Sequence, residues 1–181
     1  LDHRWRTGQG QYIDVSQSEA SLHFLAPAIL DYTVNARVRS RDGNNSEEAA
    51  PHGVFRCAGE DAWIAIVAST EDEWRALCQV AEHPEWAADE RFAIFPRRYA
   101  HRAELERQIE EWTRSLSPAD LEARLQAAGV PAHRVSTADE VVADPQLAHR
   151  GHFATVSQPG LGPVTVEGPR FRLSGSPFVP S

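Results

Sequence analysis

Hydrophobic positions change their period several times along the chain, and each change marks an element. Residues 11–15 alternate polar and apolar after a Gly8-Gln9-Gly10 turn, which predicts a short strand. From Ser16 onward Ala20, Phe24 and Ala28 recur at helical spacing, so a helix is expected to follow, with Ser16 as its cap. Residues 37–51 lose both periods and turn polar, as a linker or mobile loop does. Beyond it, Gly53-Val54-Phe55-Arg56-Cys57 and Ala62-Trp63-Ile64-Ala65-Ile66-Val67 flank Ala58-Gly59-Glu60-Asp61, a connection of hairpin length.

The middle of the chain reads as helices. Thr70-Glu71-Asp72-Glu73 is a capping box, in which the Thr hydroxyl accepts from the third helical N–H and Glu73 reaches back to the Thr70 N–H. The helix it opens sets Trp74, Leu77, Cys78 and Ala81 on one face. Leu105, Ile109, Trp112 and Leu116 form a second stripe, and Ser117-Pro118-Ala119-Asp120 caps a third helix that Gly129 and Pro131 stop. Thr137-Ala138-Asp139-Glu140 opens a short helix that Asp144-Pro145 ends or interrupts. After Gly151 the pattern is extended again, through Phe153, Thr155 and Val164-Thr165-Val166.

Composition narrows the class. At 41% hydrophobic and 24% charged the 181 residues lie in the globular range. Eighteen Lys and Arg against 26 Asp and Glu leave a net charge of −8, which argues against nucleic acid as a partner. Arg37, Arg39 and Arg41 form a local basic run without interleaved aromatics, read as a solvated loop rather than an anion site. Cys57 and Cys78 belong to no CxxC unit and read as buried thiols in a reducing cytoplasm. No apolar run is long enough for a membrane helix, so no membrane partner is expected. The chain contains no methionine and opens Leu1-Asp2-His3-Arg4, and on that ground it is read as a fragment.

Residue by residue, no catalytic constellation emerges. The eight histidines are scattered, and the closest pair, His149 and His152, straddles Gly151 at an expected helix end, so no metal is expected. Gly8 and Gly10 precede a strand instead of following one, which makes them a turn and not a phosphate cradle. Ser16 lacks the GxSxG elbow of a nucleophile.

The order of short phrases says more than any one of them. Gly8-Gln9-Gly10-Gln11-Tyr12-Ile13-Asp14-Val15-Ser16 is followed by Ala50-Pro51-His52-Gly53-Val54-Phe55-Arg56-Cys57, then Trp63-Ile64-Ala65-Ile66 and Trp74-Arg75-Ala76-Leu77-Cys78. Ala127-Ala128-Gly129-Val130-Pro131-Ala132, Ala143-Asp144-Pro145-Gln146-Leu147, Arg150-Gly151 and Gly168-Pro169 complete the series. From Arg6 to Pro177 the chain resembles the C-terminal half of family III CoA-transferases, the formyl-CoA, carnitine and bile-acid CoA-transferases together with α-methylacyl-CoA racemase.

The resemblance implies an α/β fold: part of a Rossmann-like large domain plus a smaller α+β domain, in chains that interlock as homodimers. Residues 1–40 would end the large domain's first segment, 41–51 would be a linker, 52–150 the small domain, and 151–181 a return linker. The implied reaction moves CoA from an acyl-CoA to a carboxylic acid in the cytoplasm. An aspartate attacks the donor thioester, the released thiolate converts the mixed anhydride to an aspartyl-CoA thioester, and the acceptor carboxylate then takes the CoA. No covalently bound cofactor is implied; acyl-CoA is a substrate.

That aspartate lies before the Gly8-Gln9-Gly10-Gln11 phrase in the family, so these residues alone are expected to be inactive, and Asp14 is not the nucleophile. His52 and Gly53 match a loop that closes over the aspartyl intermediate in formyl-CoA transferase, although the glycine run of that loop is missing. Glu71 matches an acidic residue that supports a catalytic histidine in the racemase branch; it also stands inside a capping box. Racemisation α to the thioester, or a non-catalytic dimerisation or interaction module, are the other readings open at this point.

Overall fold

The structure is a computed structural model of the chain and describes residues 1–169, 171 and 173–175. Ile64 and Ile66 alternate with half-buried neighbours and are wholly excluded from solvent, each contributing about 1.5–3 kcal/mol of hydrophobic stabilisation. They lie on β2 (Trp63–Val67), the centre of a three-stranded antiparallel sheet between β1 (His52–Arg56) and β3 (Ala132–Arg134). The expected hairpin is β1–β2, with Phe55 opposite Ile64, and its connection turns through Gly59 at φ 126°, which a side chain would oppose.

Helices cover this sheet. The Thr70 capping box opens α4 (Glu71–Ala81): Thr70 Oγ1 accepts from the Glu73 N–H at 3.2 Å and the Glu73 carboxylate accepts from the Thr70 N–H at 3.1 Å. Trp74, Leu77, Cys78 and Ala81 are all buried, so the face read from the spacing is the face that packs. α5 (Pro84–Ala88) and α6 (Phe95–Ala100) are too short for a 3.6-residue period to show, and each starts with a proline in its first turn. α7 (Arg102–Thr113) buries Leu105 and Ile109 and packs on β1, where Thr113 Oγ1 donates to the Arg56 carbonyl at 2.7 Å. α8 (Pro118–Ala127) is capped by Ser117 and packs on β2 and β3 through Leu121 and Leu125. Short α9 (Ala138–Val142) and α10 (Pro145–Arg150) follow, α10 capped by Asp144 and closed by Gly151 at φ 59°. β4 (Phe153–Gln158) and β5 (Gly162–Glu167) then form a separate antiparallel pair.

The backbone divides into two units, Leu1–Gly43 and Asn44–Ser181. The first holds α1 (Asp2–Thr7), α2 (Gln17–Leu22), a 3-10 turn (His23–Leu25) and α3 (Ala26–Asn35). Ser16 caps α2 as expected, accepting from the Glu19 N–H. The strand expected at residues 11–15 does not form: among the described residues no strand pairs there, and alternation without a ladder partner leaves the backbone irregular. The single helix expected after Ser16 is broken by the 3-10 turn ahead of Pro27. Residues 170, 172 and 176–181, which belong to the expected return segment and carry the end of the resemblance at Pro177, lie outside the described residues. Among the described residues no helix is long and apolar enough to cross a membrane.

Candidate functional site

Pro96 starts α6 so that residue 98 falls on its inward side, and that residue is an arginine with 1% exposure. An unpaired charge there would cost several kcal/mol, so its partners decide whether the site is stable. Nη2 and Nη1 of Arg98 donate to Oε1 and Oε2 of Glu71 at 2.8 and 2.9 Å. Nη1 also donates to the Phe92 carbonyl at 3.0 Å, and Nε to the Ala50 carbonyl at 2.9 Å. The guanidinium carbon stands 5.1 Å from the centre of the Trp74 ring, in cation–π geometry. One side chain thus joins α6, the start of α4 and the entry to β1. Hydrogen bonds from Arg98 pull the Glu71 carboxyl below its usual pKa against a smaller opposing effect of burial, and the Phe95 N–H adds a further bond at 3.0 Å.

The entry to β1 is held from its other side as well. Ala50 N–H donates to the Ala68 carbonyl at 3.2 Å, and Ala68 N–H returns a bond to the Pro51 carbonyl at 2.9 Å. The Ala50-Pro51 peptide is cis, and Ala49, Ala50 and Pro51 are buried. His52 and Gly53 emerge from this anchor half-buried, as the first two residues of β1. His52 Nδ1 meets the Asn44 carbonyl. A Cβ on Gly53 would stand 3.0 Å from Cζ of the buried Phe55 ring, so packing as well as position calls for glycine there.

The three residues singled out from the sequence therefore fall on two sides of one node. His52 and Gly53 continue the segment that Arg98 holds through the Ala50 carbonyl, and Glu71 anchors Arg98 through its carboxylate. Glu71 is the first residue of α4 and stands inside the capping box, whose reciprocal bond comes from Glu73 as expected; its own carboxylate does not cap but serves Arg98 and Phe95. Sequence reasoning missed Arg98 altogether. A recess of about 330 Å³ beside the node is lined by Glu71, Trp74, Arg75 and Ile94 among others.

Other candidates have structural roles. Gly151 closes α10 between His149 and His152, as a C-cap. Cys57 and Cys78 are buried free thiols. Arg37 and Arg39 of the basic run are exposed and lie outside any helix or strand, as the solvated-loop reading expects, and both reach Asp31, at 2.5 and 3.0 Å. With Asn35, whose bond is the largest influence, they bring the Asp31 carboxyl down to about 2.

Comparison with known proteins decides the family. The model of CoA-transferase family III matches residues 1–181. The chain belongs to that family. It is similar to a succinyl-CoA–D-citramalate CoA-transferase of Chloroflexus aurantiacus, at 33% identity over 98% of this chain and 44% of that protein. It is also similar to a succinyl-CoA:mesaconate CoA-transferase of Haloarcula hispanica, at 30% identity over 96% of this chain and 43% of that protein. Among solved structures, a CaiB/BaiF family protein from Brucella suis superposes with a TM-score of 0.80 and 30% identity, covering 97% of this chain and 45% of that one. This family III chain thus spans less than half the length of each of these relatives.

Proposed function

We propose that the enzyme to which these residues belong is a CoA-transferase that moves CoA from succinyl-CoA to a small carboxylic acid of the citramalate, malate or mesaconate type. The observation that carries this reading is the family match over residues 1–181, together with similar transferases whose donor is named as succinyl-CoA. In the proposed cycle an aspartate outside these residues attacks the donor thioester, and the mixed anhydride becomes an aspartyl-CoA thioester that passes CoA to the acceptor. Splitting the exchange this way needs no metal. Residues 1–181 alone then give no transfer.

Residues 52–150 form the small domain in this reading, between a 41–51 linker and the 151–181 return, and residues 1–40 complete the large one. The division between Gly43 and Asn44 supports the linker assignment. Trp5, Tyr12 and Phe24 are 90%, 91% and 88% exposed, apolar surface of a kind that is covered by the rest of the large domain or by a second copy in the whole enzyme, which by its family resemblance is an interlocked homodimer of the cytoplasm. His52 and Gly53, which lie in β1 and not in a loop, face the acyl intermediate from the start of that strand.

Racemisation is the rival within the family. It would require the Glu71 carboxylate to support a histidine, but that carboxylate accepts from both Arg98 nitrogens and the Phe95 N–H, which argues against that role. The test is the whole enzyme with succinyl-CoA and a panel of acids, alongside an α-methylacyl-CoA in deuterated water. New acyl-CoA without deuterium at the α-carbon fits transfer. Deuterium wash-in without transfer points to racemisation, and neither activity points to an interaction module.

A further inference from the structure

Arg98 carries a permanent charge at 1% exposure, and stability alone gives little reason for it, because a buried ion pair is often replaced by packed apolar groups at no loss. What a guanidinium adds is donors in fixed directions. One of them ends on the Ala50 carbonyl, 48 residues away in sequence and two residues before His52. Two more are fixed by the Glu71 carboxylate, which prevents the guanidinium from swinging away from Ala50. From the opposite side Ala68 holds Ala50 and Pro51 through both its N–H and its carbonyl. The segment that leads into His52 and Gly53 is therefore held by one buried cation and one strand end, and the two residues themselves continue it opposite Val67 and Ile66 of β2.

We propose that Arg98 is a positioning residue of the transferase: by holding the Ala50 carbonyl it keeps His52 and Gly53 in the place where they exclude water from the enzyme-bound thioester. The inference rests on the CoA-transfer reading above. Water that reached the thioester would add to its carbonyl carbon and break the C–S bond, leaving a carboxylic acid and a free CoA thiol. Attack by the acceptor carboxylate displaces the same thiolate and leaves a mixed anhydride; the thiolate then attacks the acceptor's carbonyl, breaks the anhydride C–O bond, and releases the aspartate carboxylate and a new acyl-CoA. Lost positioning therefore appears as free thiol released per transfer, a ratio that lower stability alone does not change.

The experiment uses the whole enzyme with succinyl-CoA and mesaconate, and compares wild type with Arg98→Lys and Glu71→Gln. New acyl-CoA is measured by chromatography, free CoA by its thiol, and folding by the melting temperature. Arg98→Lys keeps the charge but loses the fork, and is expected to raise thiol released per transfer about tenfold, less than the roughly 10²-fold that a full 1 Å misplacement can cost. Glu71→Gln, which leaves the Ala50 bond in place but less well oriented, raises it by a smaller factor. If Arg98→Lys does not fold, Glu71→Gln decides alone. Wild-type ratios in a folded variant overturn the positioning role while leaving transfer intact. No transfer by the wild type overturns the CoA-transfer reading and this inference with it.

Discussion

Glu71 and Arg98, 27 residues apart, meet through two parallel hydrogen bonds of 2.8 and 2.9 Å. The pair depresses the Glu71 pKa, and this sets a sign for pH dependence. A carboxylate whose folded pKa lies below its unfolded value contributes stability above the unfolded value, and that contribution is lost as pH falls through the folded one. Glu71→Gln should therefore lower the melting temperature at neutral pH, and the gap to wild type should close on acidification below the ordinary carboxylate value of about 4.3. Thermal melts of the two proteins from neutral pH to about pH 3 check this. A gap that widens on acidification contradicts it.

The sheet centre sets the scale of the fold's stability. Ile66 is fully buried on β2, so Ile66→Ala should cost about 2–5 kcal/mol through lost transfer energy and an unfilled cavity. Val54, 40% exposed on neighbouring β1, should cost less than about 0.5–1 kcal/mol on the same truncation. Urea unfolding of both variants measures the difference.

Local signals in the chain were legible and long-range ones were not. The Thr70 box, the Ser117 cap, the β1–β2 hairpin and the buried face of α4 each depend on residues within a few positions of one another, so spacing alone showed them. Residues 11–15 had the alternation of a strand, but alternation only marks two faces, and a ladder partner has to come from elsewhere in the fold. Arg98 carries no such local signal, because Arg97-Arg98 in a short helix reads as a solvated basic pair and the partners of Arg98, Glu71 and Ala50, lie 27 and 48 positions away. His52, Gly53 and Glu71 were reached by resemblance; the bond network that joins Glu71 to the segment before His52 came only with the folded backbone.

The Thr70 cap gives a smaller effect than the core. Thr70→Ala removes the acceptor for the Glu73 N–H while the Glu73 carboxylate keeps the Ser69 and Thr70 N–H groups, so the loss should be about 1 kcal/mol. Thr70→Ser should restore most of it. Urea midpoints of the two variants provide the comparison.

Both thiols should be silent in the native protein. Burial pushes Cys78 up to about 12 and raises Cys57 as well, which leaves little thiolate at neutral pH. A thiol reagent should label neither residue on the timescale on which it labels free CoA, and should label both in urea. Fast labelling of the native protein would show that the core around α4 opens.

The enzyme containing these residues is proposed to transfer CoA between acids. The most direct test is to incubate the whole enzyme with succinyl-CoA and mesaconate, or with citramalate or malate, and to follow CoA esters by mass. A new acyl-CoA is expected to appear together with free succinate in equal amounts, with no such product from residues 1–181 alone. Succinate and free CoA without any new acyl-CoA, or no consumption of succinyl-CoA with any of the three acids, would contradict it.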